Sequence, residues 1–566
     1  MKKMLALAAT VAALVAAAVF WPQGRRGHDA RPPLAFDGAP SRYGLYLAAL
    51  DADIKNDFYA LGRLYPAAAE MNGSDFLDKL YVTEALAGNE SAAVEAARGA
   101  LDKNPDLPAA AIYLAFVDIK NGDFRSAERR LRRTSEDGEP NVIIDTLRAW
   151  CLAGEKKYGE ALELLDSHAE GRAFSKSTLV NIGLVSALAK DYAAADRAFA
   201  GLGNRPLDIY DLESVSAYYI SRGRRDAAIK LVERELARAP SSISVASLLA
   251  AVKDGWTPPA VDTAVKGLAK SFFDISAGIL MTSYGRISDL YMLYDEMALS
   301  LNPDAQIAIV MRAEAYRKTG RDDLFSREVA RIEPGSYLWY VAWHALGSHL
   351  ADKGDRRGEK ILLELIEAEP RFLQAYGSMG DYWRRKDDLK QAIKWYGRGI
   401  DAGGADAVLS SLHFSRGALY NKLGRFEDSE ADLERAIALA PNNPVLMNYL
   451  GYYLVSYGKD SERGEKLIEK AISLSPSNPY YIDSLGWAHF MRGDTARALR
   501  LVEFAYAMTP RNSVVLDHLG DIYLSLGRNT EAVFSYKKAL AHFDPARDNE
   551  HLTAAVLEEK IRAHGR

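Results

Sequence analysis

Asn448-Tyr-Leu-Gly-Tyr-Tyr, Asp483-Ser-Leu-Gly-Trp and Asp517-His-Leu-Gly-Asp recur 35 and then 34 residues apart, and this recurrence decides the fold. The copy centred on Leu485-Gly486 continues with Ala498, Val502, Ala505 and Pro510, and the copy centred on Leu519-Gly520 with Tyr523, Ala532, Tyr536 and Ala539. Glycine in the first half of each copy (Gly451, Gly486, Gly520) and alanine in the second (Ala498, Ala532) lack bulk, so two helices can approach closely there. Larger side chains such as Leu485, Tyr523 and Tyr536 fill the space around that contact, and Pro510 helps to stop the second helix. One such hairpin cannot bury both its faces, and stacked copies supply the missing surface. A period of roughly 34 residues therefore predicts an all-α solenoid.

Outward from these copies, Gly527, Gly493, Gly458, Gly424, Asp387, Gly354 and Gly320 head polar turn segments at intervals of 33 to 37 residues. The ladder continues at 30 to 37 through Gly285, Gly255, Gly223, Asp191, Gly154, Gly122 and Gly88 to Asn56. About fifteen hairpins then cover Ser41 to His542. The register is weakest between Ser241 and Ser283, where Trp256-Thr-Pro-Pro interrupts it. Phe543-Asp-Pro breaks the last hairpin, and Asn549 to Arg566 reads as a charged capping helix, since a terminal repeat needs a polar outer face. The expected layout is a degenerate array over 41–255, irregular hairpins over 256–370, a well-formed array over 371–542 and a cap over 543–566.

The alternation of W-x2-L-G-x2-Y, A-x3-F, A and P positions resembles the tetratricopeptide repeat across about nine tenths of the chain. That resemblance implies a right-handed superhelix whose concave groove holds a segment of a partner protein. The C-terminal block is similar to exported bacterial repeat proteins, proteobacterial outer-membrane lipoproteins among them. One such group presents cell-wall hydrolases to a periplasmic carboxyl-terminal processing protease. This chain departs from it by lacking a cysteine after its N-terminal apolar run, so attachment and partner differ in expectation.

That run, Met4 to Trp21, follows Lys2 and Lys3 and carries no charge. Residues 1–21 read as a secretory signal peptide or an N-terminal membrane anchor: the run is just long enough to span a bilayer, and Ala16-Ala17-Ala18 offers small-residue spacing for cleavage. Arg25, Arg26 and Arg31 balance the lysines, so charge asymmetry leaves topology open; an alanine-rich core behind a short Lys-Lys start favours export to the bacterial envelope. Residues 22–40, rich in Pro, Gly and Arg, suit a tether.

Composition excludes several function classes. With 48% hydrophobic and 26% charged residues the chain folds, and a net charge of -5 with pI near 6.1 offers no basic footprint for nucleic acid. The single cysteine, Cys151, lies in an apolar helical stretch and excludes an internal disulfide or a cysteine-rich metal site. Ten histidines are spread singly, with no H-E-x-x-H, no Walker loop and no G-x-S-x-G elbow; no cofactor, metal or small-molecule substrate is expected. With the repeats filling the body, no catalytic domain is expected.

The expected function is that of a non-catalytic scaffold or adaptor. Positions two, five, nine and twelve of each first helix line the concave face of this kind of solenoid. In the C-terminal copies these include Phe414, Asn421, Asn448, Tyr452, Tyr480, Asp483, Trp487, Phe490, Asp517 and Asp521. Aromatics beside amides and carboxylates suit a peptide, and the three aspartates favour a neutral or basic one; packing of Tyr452 and Trp487 between adjacent repeats, with the acids capping or solvated, is the alternative reading. Expected partners are a periplasmic protease, a cell-wall enzyme or an envelope assembly complex. A structural part in a secretion, pilus or polysaccharide-export machine is the competing reading.

Overall fold

A computed structural model describes residues 77–565, except 135–140, 169–174, 241, 284–286 and 545–551. The targeting run, the tether and the rungs at Asn56 and Gly285 lie outside the described residues. Within them the chain forms 28 helices and no strand, an all-α solenoid of hairpins. Among the described residues no helix is long and apolar enough to cross a membrane.

The repeats are built by the residues that mark them. Asn443, Asn478 and Asn512 precede the first helices Pro444–Ser456, Pro479–Met491 and Ser513–Ser525, and each side chain accepts a backbone N–H of the first turn. Pro444 and Pro479 sit where the missing donor costs nothing. Each first helix ends in a left-handed residue, as at Gly458 (φ 61°), Gly493 (84°) and Gly527 (71°). The next N–H then bonds back across the turn, Asp494 to the His489 carbonyl at 2.9 Å and Arg528 to that of Tyr523 at 2.9 Å. The helix-to-helix contact is as tight as the small residues imply. A Cβ on Gly451 would stand 2.7 Å from the Gly464 carbonyl oxygen, and one on Gly464 equally close to that of Gly451.

At two rungs the left-handed residue is a close neighbour of the marker, Lys156 (φ 62°) after Gly154 and Lys190 (φ 65°) before Asp191. Gly154 closes the helix Val142–Gly154, where the Phe124 ring packs on it and would lie 2.7 Å from an added Cβ. Asp191 instead caps the following helix, accepting the Ala194 N–H at 2.9 Å.

The chain divides into two compact units, 1–346 and 347–566. In the first, hairpins run from Leu77–Leu86 with Glu90–Lys103 to Ile209–Ser221 with Arg225–Arg238. After Ile243–Lys253 the turn at Gly255 forms, but Pro258 and Pro259 prevent an immediate second helix. The 19-residue helix Ala264–Thr282 follows, and it packs on the first helices of the preceding hairpins. Gly267 lies under the Trp150 ring, Phe272 meets Phe116 edge-on at 6.0 Å, and Phe273 meets Tyr210 at 4.8 Å. Lys270, fully buried, is held by Asp211 at 2.7 Å and Asp274 at 2.8 Å. The inner face of these hairpins is thus filled by the chain itself.

The second unit runs through regular hairpins to Asn529–His542 and the helix Ala554–His564. Leu557 of that last helix is buried with Leu516, Ala532, Tyr536, Ala539 and Leu552, closing the end of the core.

Candidate protein-interaction groove

The first helices of the last hairpins carry the predicted groove residues, and the structure draws a central group of them together. His518, buried, is the hub. Its Nδ1 lies 3.0 Å from Asp483 Oδ2, its Nε2 lies 3.1 Å from the Tyr452 hydroxyl, and its ring stacks on Trp487 at 4.1 Å and 16°. Tyr452 and His518 are 66 residues apart, so one side-chain chain links three consecutive repeats. Phe490 packs on Trp487 at 5.1 Å.

Burial alone would favour a neutral imidazole at His518. Asp483, bonded to the ring, and beyond it Asp517 and Asp521, override burial and hold its pKa above the ordinary value. Burial, with the charge of Asp483 next, pushes the Tyr452 phenol up, so it stays a neutral hydrogen-bonding group.

Asp517 and Asp521 form a second group. Lys560, from the last helix, reaches Asp517 at 2.7 Å and Asp521 at 2.8 Å, and the Tyr536 hydroxyl donates to Asp521 at 2.6 Å. Burial and then the neighbouring Asp521 raise the Asp517 carboxyl, and Lys560 opposes the rise. The acid charge read from sequence is therefore engaged within the chain: Asp483 with His518, Asp517 and Asp521 with Lys560.

The remaining residues lie on the first helices of the same hairpins. Tyr480 is 51% exposed, while Phe414 packs edge-on against Tyr449 at 5.1 Å beside Leu433 and Leu450. Asn421 Oδ1, Asn448 Oδ1 and Trp487 Nε1 are buried polar atoms without a hydrogen-bond partner. Such atoms are rare in native proteins and mark places where water or a ligand completes the bonding.

Sequence reasoning missed His518 and Lys560. His518 stands in the quoted Asp517-His-Leu-Gly-Asp run, where the preceding copies carry Tyr449 and Ser484, and that departure was its only signal. Nothing local marks Lys560. Among the described residues no three His, Cys, Asp or Glu side chains are grouped to hold a metal ion.

With this geometry in hand, the class is defined. Residues 85–151 and, in a second set, 410–443 and 515–541 match tetratricopeptide repeat families, so the chain carries tetratricopeptide repeats. Such repeats generally mediate protein–protein interaction, on a fold that typically serves as a non-catalytic scaffold. Among curated proteins, the Haemophilus influenzae protein "Lipoprotein NlpI homolog" is 48% identical over 46 residues; the match spans 8% of this chain and only 15% of that relative. Similar solved structures include the APC/C hetero-tetramer Cut9-Hcn1, 16% identical, covering 89% of this chain and 98% of that one at a TM-score of 0.37. Yeast Tom70 is 14% identical, covering 93% of this chain and 95% of that one at a TM-score of 0.31.

Proposed function

We propose that the protein is an adaptor of the bacterial envelope that holds a peptide segment of a partner protein along the first-helix face of its C-terminal repeats. The observation that carries this reading is the strip from Asn421 to Trp487. It combines an exposed Tyr480 with an aromatic stack and three buried polar atoms that lack partners. Aromatic anchors supply contact area at low entropic cost, and unpaired amide and indole groups gain when a peptide backbone pairs them. Because Asp483, Asp517 and Asp521 are engaged by His518 and Lys560, the segment need not be basic. In the N-terminal hairpins the inner face is occupied by Ala264–Thr282, which directs a partner to the C-terminal repeats. The envelope location is supported by the Met4–Trp21 run and by the short stretch shared with a lipoprotein.

The test is affinity capture from detergent-solubilised membranes with the full chain and two variants. Tyr480→Ala and Asn448→Ala should each lower recovery of the same partner at least fivefold while leaving the helical circular-dichroism spectrum unchanged. Recovery unaffected by both variants would remove this face as the site.

A further inference from the structure

The place where the repeat pattern breaks encloses a pocket. The segment after Gly255 is pinned by Arg225, whose guanidinium donates to the carbonyls of Val252 at 2.9 Å and Trp256 at 2.7 Å. Pro259, Ala260 and Val261 form one wall, Asn302, Ala305 and Gln306 another, and Tyr210 and Glu213 of the helix Ile209–Ser221 the floor. The cavity measures about 20 Å3, room for one or two water-sized groups.

Glu213 is the anomaly. It is 4% exposed, and among the described residues it has neither a hydrogen-bond nor an ion-pair partner. Burial alone pushes its carboxyl up to about 8. Beside it the Tyr337 hydroxyl is also buried and unpartnered, pushed well up by burial and then by the neighbouring Glu213 and Tyr210. The Tyr337 ring packs on Trp256 at 5.3 Å, so the same interruption holds both the wall and the hydroxyl. A buried acid without a partner is unfavourable, and a close-packed interior normally eliminates it.

We propose that this pocket binds a primary ammonium group, with the Glu213 carboxylate as its counter-ion. The donor set selects that chemistry. The lining holds one carboxylate, and Gln306 Oε1 already accepts the Glu333 N–H at 2.9 Å, so the oxygen count of a divalent metal ion is not met. A carboxylate among aromatic rings suits an organic cation, and the volume admits an ammonium with its first methylene, not a planar guanidinium. The nearby cations are already neutralised: Lys266, on the lining, is held by Asp262 at 2.8 Å, and Lys270 by Asp211 and Asp274. This site does not rest on the C-terminal groove.

Thermal unfolding of the full chain in methylammonium chloride, against sodium chloride and tetramethylammonium chloride at equal ionic strength, tests the assignment. Methylammonium should raise the wild-type midpoint by about 2–4 °C at saturation, and neither control salt should. Glu213→Gln should abolish the response. The amide keeps the shape of the acid and removes its charge, so folding is expected and is checked by circular dichroism. Binding should also tighten by on the order of tens of fold between pH 6 and pH 9, as Glu213 ionises. This arm uses the wild-type chain alone. The groups beside Glu213 are Tyr210 on its own helix, Lys266 on Ala264–Thr282, and Tyr337. Nα-acetyl-lysine N-methylamide separates the sources: a response to it points to a lysine side chain of a partner, and a response to methylammonium alone to a free amine. An equal shift in sodium chloride, or an undiminished response in Glu213→Gln, overturns the proposal.

Discussion

Gly267→Ala probes whether Ala264–Thr282 is seated on the inner face of the N-terminal hairpins. The new Cβ would lie 2.3 Å from the Trp150 ring, where carbon atoms need roughly 3.5 Å. Trp150 cannot yield freely. It is fully buried, its indole donates to Asn181 Oδ1 at 2.8 Å, and Asn181 is itself buried and bonded to the Ser177 carbonyl at 2.9 Å. Overpacking costs about 1–3 kcal/mol. Breaking the indole bond to relieve it costs about 1–3 kcal/mol more. Replacing a helical glycine returns about 1 kcal/mol, leaving a net loss of about 1–5 kcal/mol. Gly278 in the same helix is the control: an added Cβ there meets nothing within 4 Å, so Gly278→Ala should gain up to about 1 kcal/mol. Hydrogen–deuterium exchange over 264–282 reads the two signs: faster exchange for Gly267→Ala, slower for Gly278→Ala. Unchanged or slower exchange in Gly267→Ala would refute the seating of this helix on Trp150.

Further outcomes follow from other contacts. His518 has a raised pKa in the fold, so its contribution to stability is fully present below the unfolded value near 6.5 and is lost as pH rises through the folded value. Urea unfolding of wild type should therefore weaken above pH 6.5 relative to His518→Gln, and parallel profiles would contradict it. Lys560→Ala leaves Asp517 and Asp521 facing each other and should destabilise the last hairpin by about 1–2 kcal/mol, seen as faster exchange over 513–542. Lys190→Gly removes a side chain from a left-handed turn (φ 65°) and should raise stability by about 1 kcal/mol; Asp191→Gly should lower it by loss of a helix cap. The Cys151 thiol is pushed up by burial, then by Glu128, Glu155 and Asp118, and should resist maleimide until the chain is unfolded in urea.

The hairpins were legible because their signals are local. Gly451 sits in the quoted first-helix copies, and the structure shows its backbone contact with Gly464 just across the turn; Asn478-Pro479 announces a helix start within one turn. Relations over longer separations left no such mark. The stack on His518 joins residues 31 to 66 positions apart, and Lys560 meets Asp517 across 43. The apolar residues of Ala264–Thr282 read like those of any first helix, and only the folded chain shows that Trp150 is what Gly267 makes room for. The same limit explains the aspartates. Asp483, Asp517 and Asp521 lie on first helices, but the groups that engage them come from a different repeat and from the cap.

The most direct test of a peptide-binding face on the C-terminal repeats is site-specific photo-crosslinking in cells, with a benzophenone side chain in place of Tyr480 on a first helix or of Phe534 on a second helix. Both positions are exposed, at 51% and 66%, so accessibility does not separate them. Adducts of one reproducible partner protein from position 480 and none from position 534 are predicted. Adducts from position 534 alone would place the partner on the opposite face and contradict the assignment.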